Sequence, residues 1–260
     1  MSAVEKLRVA LKARQRLDRR LAELAYYFHR PGRVLFDHIP KCGGTTIMTF
    51  LARNYPHRMI FQSQYPFLLS SQKFLEWSDS RRMGCRLIMG HLTNVLIGKV
   101  HPETVITTIV REPIDRIVSL YYYGLQEKHA WAVVKARPSL TEFSLGKHDR
   151  SILNYLTQHF TGLSASEIEQ APAEAVDRAV EVVDATYDIV GFQDNLAGFA
   201  TQVRGKARLW RPLGGLAVNR TIKRPALAEL SQSDRDHIAD RHAVDIELYS
   251  RLRTRWAESP

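Results

Sequence analysis

Residues 34–54 read VLFDHIPKCGGTTIMTFLARN, and this stretch decides the fold. Val34 to Ile39 is an apolar run of strand length, and Thr45 to Arg53 has the pattern of a helix. Between them lies Pro40-Lys41-Cys42-Gly43-Gly44-Thr45-Thr46. Two glycines let the backbone turn tightly there, so that successive N–H groups and the helix N-terminus face one spot. Lys41, Thr45 and Thr46 add an ammonium and two hydroxyls, and the whole suits a phosphate. It is not a Walker A loop, because GxxxxGK[ST] places its lysine after the last glycine whereas Lys41 precedes both. Nor is it a phosphatase loop, since the position six residues beyond Cys42 is Met48 and not an arginine.

Outward from this stretch, short apolar runs alternate with helical ones. Met59 to Gln62, Arg86 to Gly90, Val105 to Val110 and Ile189 to Phe192 read as further strands. Helices are expected at Pro113 to Tyr123, at Ser166 to Asp184 behind a Ser164–Glu167 capping box, and from Ser231 to Trp256. The alternation predicts an α/β fold with a central parallel sheet of about five strands flanked by helices. Residues 31–260 are expected to form one domain, and Arg204 to Arg224 a mobile basic loop. A second anion-binding cluster follows the fourth strand in REPIDRIVSLYYY, residues 111–123. Arg111 stands at the strand end, Pro113 suits a first helical turn, and Ser119 lies on the same side of the helix as Arg116. The same residues are also compatible with a plain helix start and a salt bridge.

The 260 residues are 45% hydrophobic and 25% charged, which excludes a disordered or collagenous chain. Two cysteines, Cys42 and Cys85, cannot build a disulfide framework, and a reducing, cytoplasmic setting is expected. No apolar run approaches the roughly 18 residues of a spanning helix, so neither insertion nor secretion is predicted. The formal net charge of +10 favours an anionic partner: nucleic acid, phospholipid, phosphorylated cofactor or acidic glycan. Half of that surplus lies in residues 1–30, with eight basic and three acidic side chains. Val4, Leu7, Leu11, Leu17, Leu21 and Leu24 make this an amphipathic helix, expected to dock on the fold with its basic face in water, the alternatives being a peripheral membrane contact or a nucleic-acid arm. No metal is expected, because His237 and His242 are poorly spaced for one helix face and no HExxH occurs.

The loop HIPKCGGTT, residues 38–46, resembles the 5′-phosphosulfate-binding loop of the sulfotransferases that use 3′-phosphoadenosine 5′-phosphosulfate (PAPS). REPIDRIVSLYYY is similar to their 3′-phosphate-binding element. The resemblance implies that Arg111 and Ser119 hold the 3′-phosphate and that Lys41 meets the oxygen bridging to the sulfuryl group. It places Cys42, Gly43, Gly44, Thr45 and Thr46 around the 5′-phosphate, and Arg220 and Lys223 in a segment folding over the cofactor. The branch it most resembles is the membrane-type carbohydrate sulfotransferases similar to the uronosyl 2-O-sulfotransferases, here as a soluble form. MGHL around His91, ILNYLTQHFTG around Asn154 and YDIVGFQDNL from Tyr187 agree with this loosely. Cys42 departs from the family, in which a threonine is common at that position.

The implied reaction moves the sulfuryl group of PAPS to a hydroxyl acceptor, a glycan above all, and leaves adenosine 3′,5′-bisphosphate. Such transfer asks for an in-line acceptor and positive charge on the leaving group, which side chains supply without a metal. The acceptor hydroxyl must lose a proton, and His91, at the carboxyl end of the third strand, is the expected base. His38 is expected to brace the loop, and Glu112 and Asp37 are the carboxylate alternatives. A tyrosyl peptide or small phenol is the rival acceptor, an unusual nucleotide kinase the rival enzyme, and a basic nucleic-acid-binding module the rival of another class. The preferred reading expects no nucleic-acid partner.

Overall fold

The computed structural model describes residues 20–21, 23–24, 26–126, 138–147, 149–214, 225 and 227–257. The expected passage from strand to loop to helix is present: β1 (Arg33–Asp37) leads into α1 (Gly44–Ala52). β2 (Ile60–Gln62), α2 (Phe67–Leu75), α3 (Asp79–Gly84), β3 (Leu87–Gly90), β4 (Thr104–Val110) and α4 (Pro113–Gln126) follow. Then come α5 (Leu140–Ser144), α6 (Tyr155–Thr161), α7 (Ala165–Gln170), α8 (Pro172–Thr186), β5 (Ile189–Phe192), α9 (Leu196–Lys206), α10 (Gln232–Arg241) and α11 (Ala243–Trp256). The fold is α/β, with a five-stranded parallel sheet in the order β2-β3-β1-β4-β5 flanked by helices. All five expected runs are strands of this sheet.

β1 is parallel to both its neighbours, with Asp37 opposite Gly90 of β3 and Thr108 of β4. The chain leaves β1 toward β2 on one side and leaves β4 toward β5 on the other. That divergence is a topological switch point, where open parallel sheets leave a crevice beyond their carboxyl ends. The segment 39–46 begins there.

Two compact units, interleaved along the sequence, divide the chain. One comprises residues 1–38, 44–108 and 196–218. Its core is built from Val34, Leu35 and Phe36 of β1, from Ile47, Phe50 and Leu51 of α1, and from Leu87 of β3, all 0% exposed. Phe36 also meets Phe199 of α9, with ring centroids 6.2 Å apart. The apolar run of β1 is continuous because both faces of a parallel strand are covered. Arg33, which opens β1, donates through Nη1 to the Cys85 carbonyl at 2.7 Å and ties the strand to the turn before β3.

The other unit comprises residues 39–43, 109–195 and 219–260. Ile117, Val118 and Leu120 of α4 pack with Phe143, Ile152, Leu230 and Ile238 in its core. Two expectations are corrected here. The single helix expected at 166–184 is two, α7 and α8, because Pro172 lacks an N–H and its ring would clash with a preceding helical turn; Ala171 adopts φ −141° and ψ 67° instead. The Ser164–Glu167 capping box is present and starts α7. The final helix likewise breaks at His242, whose φ of −116° and ψ of 21° end α10 before α11 begins. In the first unit the expected basic loop from Arg204 starts late, since Arg204 to Lys206 complete α9.

The expected amphipathic helix lies largely outside the described residues. In its described part, Leu21, Leu24, Tyr27 and Phe28 are exposed, Phe28 at 84%. No described helix is long and apolar enough to cross a membrane.

Candidate active site

In the first unit the site residues gather beyond β1 and β3. Gly90 closes β3 at φ +129°, and a Cβ there would come within 2.9 Å of the Ser63 side chain, so only glycine fits. The next residue is His91. Its Nδ1 lies 2.7 Å from the His38 carbonyl, an acceptor only, so Nδ1 is the donor, and in the neutral tautomer that this selects the lone pair is on Nε2. The His91 ring is stacked on His38 at 4.1 Å between centroids and meets Phe67 edge-on at 4.7 Å. His38 thus braces His91 through both its carbonyl and its ring, and it is itself buried. At Gly44 an added Cβ would fall 1.9 Å from His38 Cδ2, so the helix can start this close to the ring only with glycine. Thr45 is half-buried and Thr46 buried in the first turn of α1. Asp37 is fully buried at the end of β1 and accepts from Thr93 Oγ1 at 3.5 Å.

In the second unit the loop 39–43 is bent sharply, with Lys41 at φ +69° and Gly43 at φ +83°. Left-handed backbone is ordinary for glycine and costly for a lysine, so Lys41 is held there by its surroundings. Arg111, 7% exposed, is one such hold: its Nη1 donates to the Lys41 carbonyl at 2.9 Å. Its Nε and Nη2 are both directed at Asp115 Oδ2, the former at 2.7 Å. These bonds engage three of the five guanidinium N–H groups. The Lys41 ammonium lies 3.6 Å from the centroid of the Tyr123 ring, a cation–π pair. Cys42 is 1% exposed, and burial pushes its thiol up to about 12.

Glu112 serves the start of α4: its carboxylate accepts from the backbone N–H of Ile114 at 3.1 Å and of Asp115 at 2.7 Å. Burial pushes its pKa up, against the pull of those two bonds. Ser119 is buried two turns into α4. Arg116 is buried as well, and its guanidinium lies 4.4 Å from the centroid of the Tyr155 ring. Arg220 and Lys223 lie outside the described residues.

Asn154 and Tyr187 are also placed. Asn154 Oδ1 accepts from Asp245 N–H, and the Asp245 carboxylate caps α6 through the N–H groups of Leu156 and Thr157, each at 2.9 Å. Tyr187 is buried before β5. Both are scaffold. Asp115 and Tyr123 escaped the sequence reading. Asp115 was findable, four residues after Arg111 on one helix. Tyr123 had no local signal, because its partner comes from a loop far back in the chain.

Residues 26–250 match the model of the sulfotransferase family, and the chain belongs to that family. Among solved structures, the chain is similar to one titled "Crystal Structure of Sulfotransferase from Alicyclobacillus acidocaldarius". That likeness has 17% identity and a TM-score of 0.46, and covers 88% of this chain and 97% of the other. None of the curated proteins matches the chain.

Proposed function

We propose that the chain transfers the sulfuryl group of PAPS to a hydroxyl of a carbohydrate by in-line displacement. The observation carrying this reading is the 2.7 Å contact between His91 Nδ1 and the His38 carbonyl, which leaves Nε2 as the basic atom. The donor set fits the cofactor. Lys41 and Arg111 supply cationic donors, Thr45, Thr46 and Ser119 hydroxyls, and the start of α1 backbone N–H groups. PAPS, when bound, supplies an activated sulfuryl group on a phosphate leaving group. Lys41, with Gly43, Gly44, Thr45 and Thr46, would neutralise and bind the phosphosulfate end. Arg111 and Ser119 would bind the 3′-phosphate, with Arg220 and Lys223 covering it. Nε2 of His91 would accept the acceptor's proton, and His38 would keep the ring in that tautomer.

The carbohydrate assignment rests on the resemblance to the uronosyl branch; a tyrosyl peptide or phenol is the alternative. We also take the exposed Leu21, Leu24 and Phe28, beside Arg20 and Arg30, as a peripheral contact with an anionic membrane surface. Calorimetry with adenosine 3′,5′-bisphosphate in the absence of magnesium tests the cofactor, and an acceptor screen with isotopically labelled PAPS tests the transfer. Binding of Mg-ATP in place of the bisphosphate would make the chain a kinase. Flotation with anionic and zwitterionic vesicles tests the membrane contact, which equal binding to both or to neither would remove.

A further inference from the structure

β2 ends at Gln62, and the chain turns into α2 beside the loop that carries His91. The turn is fixed by side chains. Ser63 donates its N–H to the Met89 carbonyl at 2.9 Å and its hydroxyl to the Phe67 carbonyl at 3.3 Å. Gln64 N–H donates to Ser70 Oγ at 3.1 Å. Ser71, fully buried, donates to the Leu92 carbonyl at 3.0 Å, next to His91. The start of α2 is thereby attached to the segment that positions the base.

On this frame three rings form a run. His91 meets Phe67 at 4.7 Å with an interplanar angle of 67°, and Phe67 meets Tyr65 at 5.8 Å and 85°. Exposure increases outward along the run, from half-buried His91 and Phe67 to Tyr65 at 85%. Leu68 and Leu69 beside it are 51% and 47% exposed. An apolar strip therefore leads from the basic nitrogen's ring to solvent.

We propose that Phe67 and Tyr65 form an acceptor platform on which the C–H face of a sugar ring stacks while its hydroxyl meets His91. This rests on the reading of His91 as the base. A pyranose presents a face of polarised C–H bonds bounded by hydroxyls, and the negative face of an aromatic ring receives it. The open shape selects the ligand class. A drug-sized ligand is typically held where about 70–90% of its surface is buried, whereas Tyr65, 85% exposed, offers a shallow contact. A chain of sugars makes several such shallow contacts in succession. Tyr65 and Phe67 are positioning residues for the acceptor, and neither faces the proton transfer.

The test uses the full chain saturated with adenosine 3′,5′-bisphosphate, and as probe an unsulfated hexasaccharide of alternating glucuronate and N-acetylglucosamine. Saturation-transfer NMR should show magnetisation passing to sugar ring C–H protons in the wild type. Tyr65→Ala, at a surface position that leaves folding intact, should lose most of that signal and raise KM for the hexasaccharide roughly tenfold, with the larger effect on KM rather than kcat. Tyr65→Trp should retain it. Bisphosphate affinity should be the same in all three chains. Equal hexasaccharide binding by wild type and Tyr65→Ala overturns the platform, as does a wild type that sulfates 4-nitrophenol but does not bind the hexasaccharide. Failure of the wild type to bind the bisphosphate sinks the cofactor reading instead, and the platform is then decided by the hexasaccharide signal alone.

Discussion

With Nδ1–H committed to the His38 carbonyl, His91 can accept a proton only through Nε2, and removing the ring should remove that step alone. His91→Ala is expected to lower turnover by roughly 10² to 10⁴ while nucleotide affinity stays near wild type. Near-normal turnover in His91→Ala together with an inactive Asp37→Asn would transfer the role to the carboxylate. Arg111 is a second residue whose contacts predict its behaviour. Arg111→Ala should weaken adenosine 3′,5′-bisphosphate by about 1.5 to 3 kcal/mol and barely affect adenosine 5′-phosphate. Asp115→Asn should show a smaller loss of the same kind, because Asp115 only orients the guanidinium. Equal losses for both nucleotides by calorimetry would place Arg111 elsewhere.

His242 has a different consequence. Burial, helped by the charge of Arg116, lowers its pKa from 6.5 to about 3, so the fold holds it neutral. The unfolded chain protonates it first as pH falls, so the stability that depends on the neutral ring is present above 6.5 and lost toward 3. Each pH unit in that window costs up to about 1.4 kcal/mol. Burial pushes Asp245, beside Arg116, the opposite way, which offsets part of the loss in the wild type. Denaturant unfolding of wild type and His242→Gln should therefore give curves that converge as pH falls from 6.5 toward 4, and parallel curves would refute the assignment.

At the scale of elements, the start of α1 depends on one missing methyl group. Gly44→Ala would place a Cβ on the His38 ring, so His38 must move and its stack with His91 must open. The expected result is a lower melting temperature and lower turnover, with stability partly recovered by adding His38→Ala; an unchanged melting temperature in the single variant would show that the ring yields freely. The strands and the loop were legible in the sequence because a buried parallel strand is a continuous apolar run, and a phosphate loop needs glycines at fixed places. The breaks at Ala171 and His242 were less so. Pro172 was visible as a local signal, whereas His242 leaves helical geometry where Asn154 N–H donates to its Nδ1, a contact between residues far apart in sequence. Of the candidate site residues, Lys41, Arg111 and His91 were nameable from motif spacing, but the contacts that hold them, the His38 carbonyl on His91 and the Tyr123 ring on Lys41, are chosen by tertiary packing.

For the whole molecule, ligand binding and folding are linked. If the cofactor reading holds, adenosine 3′,5′-bisphosphate at a hundred times its Kd should stabilise the chain by about 2.7 kcal/mol without magnesium. Thermal unfolding across a nucleotide titration measures this, and a shift only with Mg-ATP would reverse the reading. The two units are each assembled from separated segments, so neither corresponds to a continuous fragment that could be expressed alone.

The pairing of β1 also sets an order of events during synthesis. β1 is made before the other described strands, yet its last carbonyl, on Asp37, accepts from Thr108 Oγ1, 71 residues later. At bacterial to eukaryotic elongation rates, that partner is made roughly 4 to 14 s afterwards. Until β3 and then β4 have been made, the apolar strand lacks the neighbours it pairs with in the sheet. The part of the chain read first in the sequence thus reaches its working shape only after later segments have been made.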